Sequence, residues 1–343
     1  MVDPIVALSL DSQDWYGWQE IKIQSAITQV SSEFTLKLTD KWSDTQSPRP
    51  IKKGAACSVS INDVTVVTGY IDDVNTSYDA QSHSIEVAGR DATGDIVDCS
   101  APSFQWIGRS LLKGAQALCK PFGVAVVATT DVSKAFERMK SDEGETVFEV
   151  LEQAARVRGV LLMADGLGGL IIGRAGNQRL SGRFELGVNI EQGSGRQSMR
   201  DRFSEYTVKG QSSDPFGGDS SVMAKAKDSA VKRHRPKVIL AEDGLDLAGC
   251  KTRAIWHRNI AAAKGNEVNY VVNAWHLDGQ LIQPNYLVHV SDPFLKVSGE
   301  MLIVSRTFIL DDKGLRTEVT LSDPKAYELE ELPEPGDDEA LFS

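Results

Sequence analysis

The sequence predicts a multi-domain α+β protein with two related antiparallel β-barrel domains, an inserted α+β domain between them and a helix before the second barrel. Three observations support this fold class. Residues 18–90 alternate apolar and polar positions with the period of β-strands. After residue 98 the apolar positions recur with a helical period, and strand-like alternation returns between Glu267 and Leu321. A chain of 343 residues is long enough to bury several cores.

The first β-barrel domain is predicted to cover residues 1–97. Its strand candidates are short segments of alternating polarity, namely WQEIKIQSAI, FTLKLTD, CSVSI, VTVVTGYI and HSIEVAG. Asn62 and Asp63 separate the third and fourth segments and indicate a tight hairpin turn. Short antiparallel strands at this spacing are typical of a small barrel or sandwich.

The inserted α+β domain is predicted over residues 98–180. IGRSLLKGAQALCKPFG places apolar residues on one helical stripe, and Pro121 ends it because proline cannot continue a helix. ETVFEVLEQAARVRG predicts a second helix that ends at Gly159. VLLMADGLGGLIIG has two apolar runs around a glycine-rich centre and therefore predicts a β-hairpin.

The rest of the chain is divided into three regions. Residues 181–240 are predicted to hold returning strands, with a mobile glycine- and serine-rich loop at 211–224 and the basic segment KAKDSAVKRHRPK. Residues 241–325 are predicted to hold a helix, ended by Gly265, and the second β-barrel. Residues 326–343 are predicted to be an acidic disordered tail, because the last sixteen residues hold seven acids and no base.

The returning strands resemble the first set, which indicates an internal duplication. VTGYIDDVN at 67–75 and VSGEMLIVS at 297–305 share a glycine, a large apolar residue two positions later and a valine three positions after that. An aspartate follows each glycine at a similar distance, 22 residues after Gly69 and 24 residues after Gly299. Two similar barrels in one chain would explain this agreement.

Composition and motifs argue against several classes of site. The four cysteines form no CxxC pair and no histidine lies at zinc-ligand spacing, so free thiols and no metal site are expected. The motifs HExxH and GxSxG and the P-loop pattern are absent, so no catalytic or cofactor-binding residue is predicted. No apolar run reaches the roughly 18 residues of a membrane helix, and the N-terminus lacks a secretory signal, so no membrane insertion is expected.

The segment VAGRDATGDIVDCSAP groups three carboxylates, Asp91, Asp95 and Asp98, beside Arg90. On one helix, spacings of four and three residues would place all three on one face, as in a metal or acid–base site. The alternative is structural: Asp91 caps a short helix, Asp95 and Asp98 face water, and Arg90 pairs with a nearby carboxylate. The structural hypothesis is favoured, because no histidine or further carboxylate cluster adjoins them in the sequence.

Five motifs occur in a characteristic order along the chain. They are GYIDDV, VAGRDATGDIVDCSA, RDRFSEYTVKG at 200–210, VKRHRP at 231–236 and DKGLRTEVTLSDP at 312–324. This ordered set, which runs from about Gly17 to Pro324, resembles the central baseplate hub proteins of Mu-like contractile-tailed phages. More distantly, the chain is similar to the hub part of the T4 baseplate and of type VI secretion spikes.

The resemblance implies a ring-shaped homotrimer in which each chain contributes two related barrels. Such a ring would join a threefold central spike protein to a sixfold tail tube protein and would contact baseplate wedge or tape-measure proteins. DNA would pass through its channel without specific binding. The implied role is structural, without enzymatic activity, in a virion tail baseplate that is assembled in the cytoplasm of the host bacterium.

The resemblance also sets expectations for individual residues. GRDATGD is expected to close the first barrel, with its carboxylates in caps and in ion pairs with arginines of the later motifs. RDRFSEYTVKG is expected to return the chain to the barrels, with its two aromatic residues in cores or interfaces. The candidate structural or interface residues are therefore Arg90, Asp91, Asp95, Asp98, Arg200, Arg202, Phe203, Tyr206, Arg233 and Arg235.

Two other functions stay open at this point. A tail-associated cell-wall hydrolase is one of them, since some tail hubs carry lytic domains, although the sequence shows no catalytic set for it. A DNA-binding tail component is the other, because KRHRPK could bind phosphate groups. The basic segment lacks aromatic residues for base stacking, so a solvated linker or a protein-contact loop is favoured over nucleic-acid binding.

Overall fold

A computed structural model of the chain describes residues 4–11, 13–40, 51–80, 83–176, 178–212, 220–240, 247–329 and 331. Strands make up 50% of the structure and helices 17%, so the protein is mostly β and has several structural units, where the sequence predicts a balanced α+β class. The units are one large curled antiparallel sheet, an α+β domain inserted after its seventh strand, and a small three-stranded sheet covered by a helix.

The N-terminal part of the chain contributes seven strands to the large sheet. They are β1 (Val6–Leu10), β2 (Gln13–Trp15), β3 (Glu20–Ala26), β4 (Glu33–Asp40), β5 (Ala56–Ile61), β6 (Val64–Tyr78) and β7 (His83–Asp91). Alternating residues of these strands are buried, as Ile21 and Ile23 are in β3, so the two-residue period of the sequence marks the core face. Asn62 and Asp63 join β5 to β6 with positive φ angles of 48° and 65°, which confirms the predicted tight turn.

The inserted domain follows β7 directly and has its own core. Its elements are α1 (Gly94–Asp98), β8 (Gln105–Trp106), α2 (Leu111–Cys119), β9 (Val126–Ala128), β10 (Met139–Lys140), α3 (Val147–Val157), β11 (Leu161–Ala164) and β12 (Leu170–Gly173). Leu118 of α2 and Leu151 of α3 are buried against Ile172 of β12 and its neighbours. A capping box of Thr146 and Glu149 starts α3, because each side chain bonds the other residue's backbone N–H. β11 and β12 form the predicted hairpin.

The chain then returns to the large sheet and leaves it again. The elements of this part are β13 (Gln178–Glu185), β14 (Ile190–Gln197), β15 (Glu205–Ser212), β16 (Ser220–Lys227), β17 (Pro236–Leu240) and α4 (Leu247–Lys264). β13 and β14 belong to the large sheet, whereas β15, β16 and β17 form a separate sheet on which α4 buries Cys250 and Ala254. The predicted loop at 211–224 is strand at both ends, and residues 213–219 lie outside the described residues.

The C-terminal part completes the large sheet. Its strands are β18 (Asn266–Val272), β19 (His276–Leu277), β20 (Gln280–Leu281), β21 (Tyr286–Asp292), β22 (Val297–Asp311) and β23 (Gly314–Ser322). A 3-10 turn at Pro324–Tyr327 then docks on α4, where Ala326 is buried and Trp256 donates a hydrogen bond to the carbonyl oxygen of Glu328. Of the predicted acidic tail, residues 330 and 332–343 lie outside the described residues.

The large sheet is continuous from one part of the chain to the other. Its order is β14-β18-β23-β22-β3-β4-β7-β6-β5-β1-β2, and β21 and β13 branch from β22. The two halves meet where β3 pairs antiparallel with β22, and a single hydrophobic core runs through both. The two predicted closed barrels therefore appear as one curled sheet, and two separate barrels stay a prediction, as do the domain limits set from the sequence.

The two halves of the sheet share one strand order. β3-β4-β7-β6-β5-β1 in the first half corresponds, strand for strand along the chain, to β14-β18-β23-β22-β21-β13 in the second. One orientation differs, because β1 is antiparallel to β5 whereas β13 is parallel to β21. The same succession of six strands agrees with the internal duplication that the sequence suggests.

The hairpin β6–β7 corresponds to β22–β23 with a constant difference in residue number. Each long strand skips one residue in its pairing, Asp72 in β6 and Val304 in β22, and each hairpin ends at an aspartate, Asp91 or Asp323. Both comparisons give a difference of 232 residues, since 304 less 72 equals 323 less 91. The sequence alignment on the two glycines is therefore wrong by two residues, because β-strand residues two apart share a face and give the same apolar pattern.

Candidate functional site

Asp91 is the last residue of β7, and its side chain is buried. Its Oδ1 atom accepts hydrogen bonds from the backbone N–H and the hydroxyl group of Thr93, at 3.1 and 2.8 Å. Its Oδ2 atom has no hydrogen-bond partner among the described residues. Burial raises the pKa of Asp91 to about 6, because the charged form loses its hydration. Asp91 therefore holds the turn that leads into α1 and does not lie on the helix.

Arg90 links two carboxylates on the outer side of the same strand. It donates hydrogen bonds to Asp72 at 2.8 Å and to Asp98 at 2.7 Å, and the bond to Asp98 holds the pKa of that carboxyl below its ordinary value. Asp95 lies half-buried on α1. The three aspartates thus occupy three different environments. Over the described residues, no group of histidine, cysteine, aspartate and glutamate side chains could hold a metal ion.

The glycine-rich turn between β11 and β12 packs on the large sheet close to Asp91. Gly166 has a φ of +76°, and a Cβ atom there would lie 2.9 Å from the carbonyl oxygen of Val66. Gly168 has a φ of +87°, and its Cβ would lie 3.3 Å from the carbonyl oxygen of Thr68. Side chains are thus excluded by conformation and by space, and this backbone contact fixes how the inserted domain sits on β6.

Replacing Gly166 with alanine is expected to lower the free energy of unfolding by about 1–3 kcal/mol more than replacing Gly54 with alanine. Gly54 has the same φ of +76°, but a Cβ atom there would have nothing within 4 Å, so Gly54→Ala measures the conformational strain alone. Urea unfolding of both variants checks this. Equal losses in the two variants would show that the turn does not depend on its close approach to β6.

Arg202 and Asp228 form a two-pronged ion pair in the smaller sheet. Nε of Arg202 lies 2.5 Å from Oδ2 of Asp228, and the second bond to Oδ1 is 3.1 Å long. The Asp228 side chain is only 7% exposed, and its Oδ1 also accepts the backbone N–H of Ala230. The hydrogen bonds from Arg202 hold the pKa of Asp228 below its ordinary value. The pair fastens the segment before β15 to the turn after β16.

Arg235 fixes the same segment from the other side. Its guanidinium group donates to the carbonyl oxygens of Met199 and Arg200, at 2.6 and 2.7 Å, and lies 5.0 Å from the centre of the Phe203 ring. Phe203 packs edge-on against Tyr206, which is fully buried and whose hydroxyl oxygen accepts the backbone N–H of Phe203. The two aromatic residues thus belong to the packing of this unit, and Arg235 is engaged within the chain.

These ion pairs differ from those expected from the sequence. Asp98 pairs with Arg90, and Arg202 pairs with Asp228, so the RDRF motif and the aspartates after β7 serve separate units. Arg233 is exposed in the turn before β17. The sequence gives only one signal for Asp228, its place as the single acid within the basic segment, because a partner 26 residues away leaves no local pattern.

Arg306 is a second important residue that the sequence does not reveal. It is buried on β22, donates a hydrogen bond to the carbonyl oxygen of Ile23 and lies 4.0 Å from the centre of the Phe308 ring. Burial lowers its pKa to about 9. It lines a cavity of about 300 Å³ between the sheet and the inserted domain, to which Ser32 and Asp165 contribute. This polar space has room for several water molecules.

Models of phage tail protein domains match successive parts of the chain. The matches are the N-terminal domain of Mu phage baseplate assembly protein GpP-like (5–91), the second domain of baseplate hub protein gp44-like (93–174), the third domain of tail protein NMB1110-like (202–255) and the fourth domain of Mu phage baseplate assembly protein GpP (247–330). The baseplate hub protein gp44 of Escherichia phage Mu is 34% identical over 339 residues, which cover 94% of this chain and 88% of that protein. The chain belongs to the Mu baseplate hub protein family. It is therefore a structural component of a phage tail baseplate.

Solved structures agree with this assignment of the hub protein. The 43 kDa tail protein of prophage MuSo2 from Shewanella oneidensis is 35% identical, with a TM-score of 0.84 over 95% of this chain and 100% of that one. The tail protein of Neisseria meningitidis MC58 is 25% identical, with a TM-score of 0.81 over 97% and 100%. The Escherichia coli c3393 protein, a type VI secretion component described as similar to T4 tail proteins gp27 and gp5, is 10% identical and shares the fold, with a TM-score of 0.58 over 96% and 80%.

No helix in the described ranges of the hub chain is long and apolar enough to cross a membrane.

Proposed function

We propose that this hub protein forms a homotrimeric ring of pseudo-sixfold symmetry, which joins a threefold central spike to the sixfold tail tube. The observation that carries the proposal is the strand order repeated in the two halves of the large sheet. Two equivalent units in each chain give six units in a trimer, so one molecule can meet a threefold partner and a sixfold partner. In this proposal each half is one of two related barrels.

The ring encloses a channel through which the genome leaves the tail. The net charge of −11 supports passage without binding, because DNA carries a high density of negative charge. Arg235 from the basic segment is occupied by carbonyl groups and an aromatic ring, which leaves it poorly placed to bind phosphate. Spike, tube and wedge or tape-measure proteins are the proposed partners, the role is structural and not enzymatic, and assembly takes place in the host cytoplasm.

The solution mass of the purified chain tests the ring. Three chains of 37.4 kDa give a trimer of about 112 kDa, which light scattering after size exclusion separates from a monomer and a dimer. Negative-stain images of the trimer should then show six lobes around a hole. A dimer that persists on dilution, or a monomer both alone and with the spike protein, would refute the proposal.

A further inference from the structure

Two strand edges of the large sheet have no backbone partner within the described part of the chain. The first is the outer edge of β14, which pairs on its other side with β18. The second is the Asp73–Tyr78 part of β6, because β5 and the residues before it cover β6 only as far as Ile71. Unpaired backbone N–H and C=O groups along a strand edge are a template for a strand of another chain.

The junction between the two halves shows how such an edge is filled. Within the chain, β3 pairs antiparallel with the second part of β22, from Ala26 opposite Ser305 to Ile21 opposite Leu310. In the repeat, β22 corresponds to β6 and β3 corresponds to β14. The equivalent junction would therefore place β14 beside the second part of β6, and these are the two free edges.

The repeat also sets the register of this second junction. The difference of 232 residues places Asp73–Tyr78 at the positions of residues 305–310. Gln24 of β3 lies opposite Glu33, and Arg196 of β14 lies opposite Glu267; these two glutamates lie in turn opposite equivalent positions of β7 and β23. Gln24 thus corresponds to Arg196, a difference of 172 residues that applies along the strand.

We propose that β14 of one chain pairs antiparallel with the second part of β6 in a neighbouring copy of the same chain. This inference rests on the proposed ring and names the surface that closes it. The six pairs are Ser198 with Asp73, Gln197 with Val74, Arg196 with Asn75, Gly195 with Thr76, Ser194 with Ser77 and Gly193 with Tyr78. Each chain donates one edge and accepts the other, so three chains satisfy every free edge when the ring closes.

The side chains along the two edges complement each other in this register. Tyr78 is 83% exposed in the single chain, and it would cover Gly193, whose missing side chain leaves space for an aromatic ring across the strands. Arg196 is exposed and would lie diagonal to Asp73 on one face, within reach of its carboxylate. The junction therefore covers an exposed aromatic residue and joins opposite charges.

A cysteine pair tests the proposed register. Ser77→Cys and Ser194→Cys are combined in a Cys99→Ser background, because Cys99 is the exposed cysteine and the other three are buried. Directly opposite residues of antiparallel strands have Cβ atoms about 4.5–5.5 Å apart, close enough for a disulfide after small adjustments. Mild oxidation of the assembled trimer should give covalent dimers and trimers on a non-reducing gel, and reduction should remove them.

Matched controls separate this register from a chance collision. Each single cysteine variant should stay monomeric on the gel, and Thr76→Cys with Ser194→Cys should not crosslink, because a shift of one residue places the side chains on opposite faces. A trimer by light scattering without the Ser77–Ser194 crosslink would overturn the strand pairing and leave the ring intact. A chain that stays monomeric even with the spike protein would overturn both.

A charge exchange provides a second test without cysteines. Arg196→Asp alone should shift the monomer–trimer equilibrium toward monomer by about fivefold, the effect of a loss near 1 kcal/mol at one strand contact. Adding Asp73→Arg should restore the trimer, because the opposite charges are then exchanged between the two strands. Failure of the second substitution to restore assembly would count against the contact of Arg196 with Asp73.

Discussion

Replacing Asp228 with alanine is expected to lower the free energy of unfolding of the unit formed by β15, β16, β17 and α4 by about 3 kcal/mol. The substitution leaves the guanidinium group of Arg202, whose side chain is only 20% exposed, without its counter-charge. It also removes the acceptor for the backbone N–H of Ala230. Urea unfolding, followed together with protease cleavage of this unit, measures the loss.

Asp201→Ala is the matched control for Asp228→Ala. Asp201 is an exposed acid directly beside Arg202, so its removal should change the free energy of unfolding by no more than about 0.5 kcal/mol. The double variant Arg202→Ala with Asp228→Ala should lose less than the sum of the single variants, since it leaves no buried charge alone. Similar losses for Asp228→Ala and Asp201→Ala would contradict a structural role for the ion pair.

Asp91→Asn is expected to remove a pH dependence of stability between about pH 4 and pH 6. The pKa of Asp91 is raised from 3.8 to about 6 in the folded chain, so in this range the folded chain holds a proton that the unfolded chain has released. The contribution of Asp91 is therefore most favourable below pH 4 and is lost as pH rises through 6. A shift of this size corresponds to about 3 kcal/mol between the two limits.

The measurement compares the free energy of unfolding of Asp91→Asn with that of the unchanged chain from pH 4 to pH 7.5. The difference should shift by about 3 kcal/mol in favour of the variant as pH rises, because asparagine has no charge to bury. Asp98→Asn is the control of opposite sign, since Arg90 lowers the pKa of Asp98 and its charged form stabilises the fold at neutral pH. A constant difference for Asp91→Asn would rule out a buried, titrating Asp91.

Local patterns in the sequence predict much of the architecture. Alternation places Ile21 and Ile23 on the core face of β3, Asn62 and Asp63 mark a hairpin, and the helix before Gly265 is α4. These predictions succeed because they depend on residues a few positions apart, whose side-chain direction follows from the backbone period alone. The resemblance to baseplate hub proteins likewise survives comparison with the family.

The candidate residues show where local patterns stop being sufficient. Asp91, Asp95 and Asp98 are spaced like one helical face, but β7 ends at Asp91 and buries that side chain, while Asp98 remains in water with Arg90. The partner of Arg202 is 26 residues away, so no motif around RDRF indicates it. Side-chain partners of this kind depend on which loops and strands meet in space.

The sequence by itself determined the strands, the helices, the inserted domain and the family of this protein, because each depends on periodicity or on motifs in order along the chain. Only the tertiary structure decided that the two halves share one sheet, that Asp91 is buried and that β6 and β14 keep free edges. The physical reason is distance along the chain. β3 meets β22 almost three hundred residues later, as in the bond from Arg306 to Ile23, and only the register and curvature of the whole sheet bring such residues together.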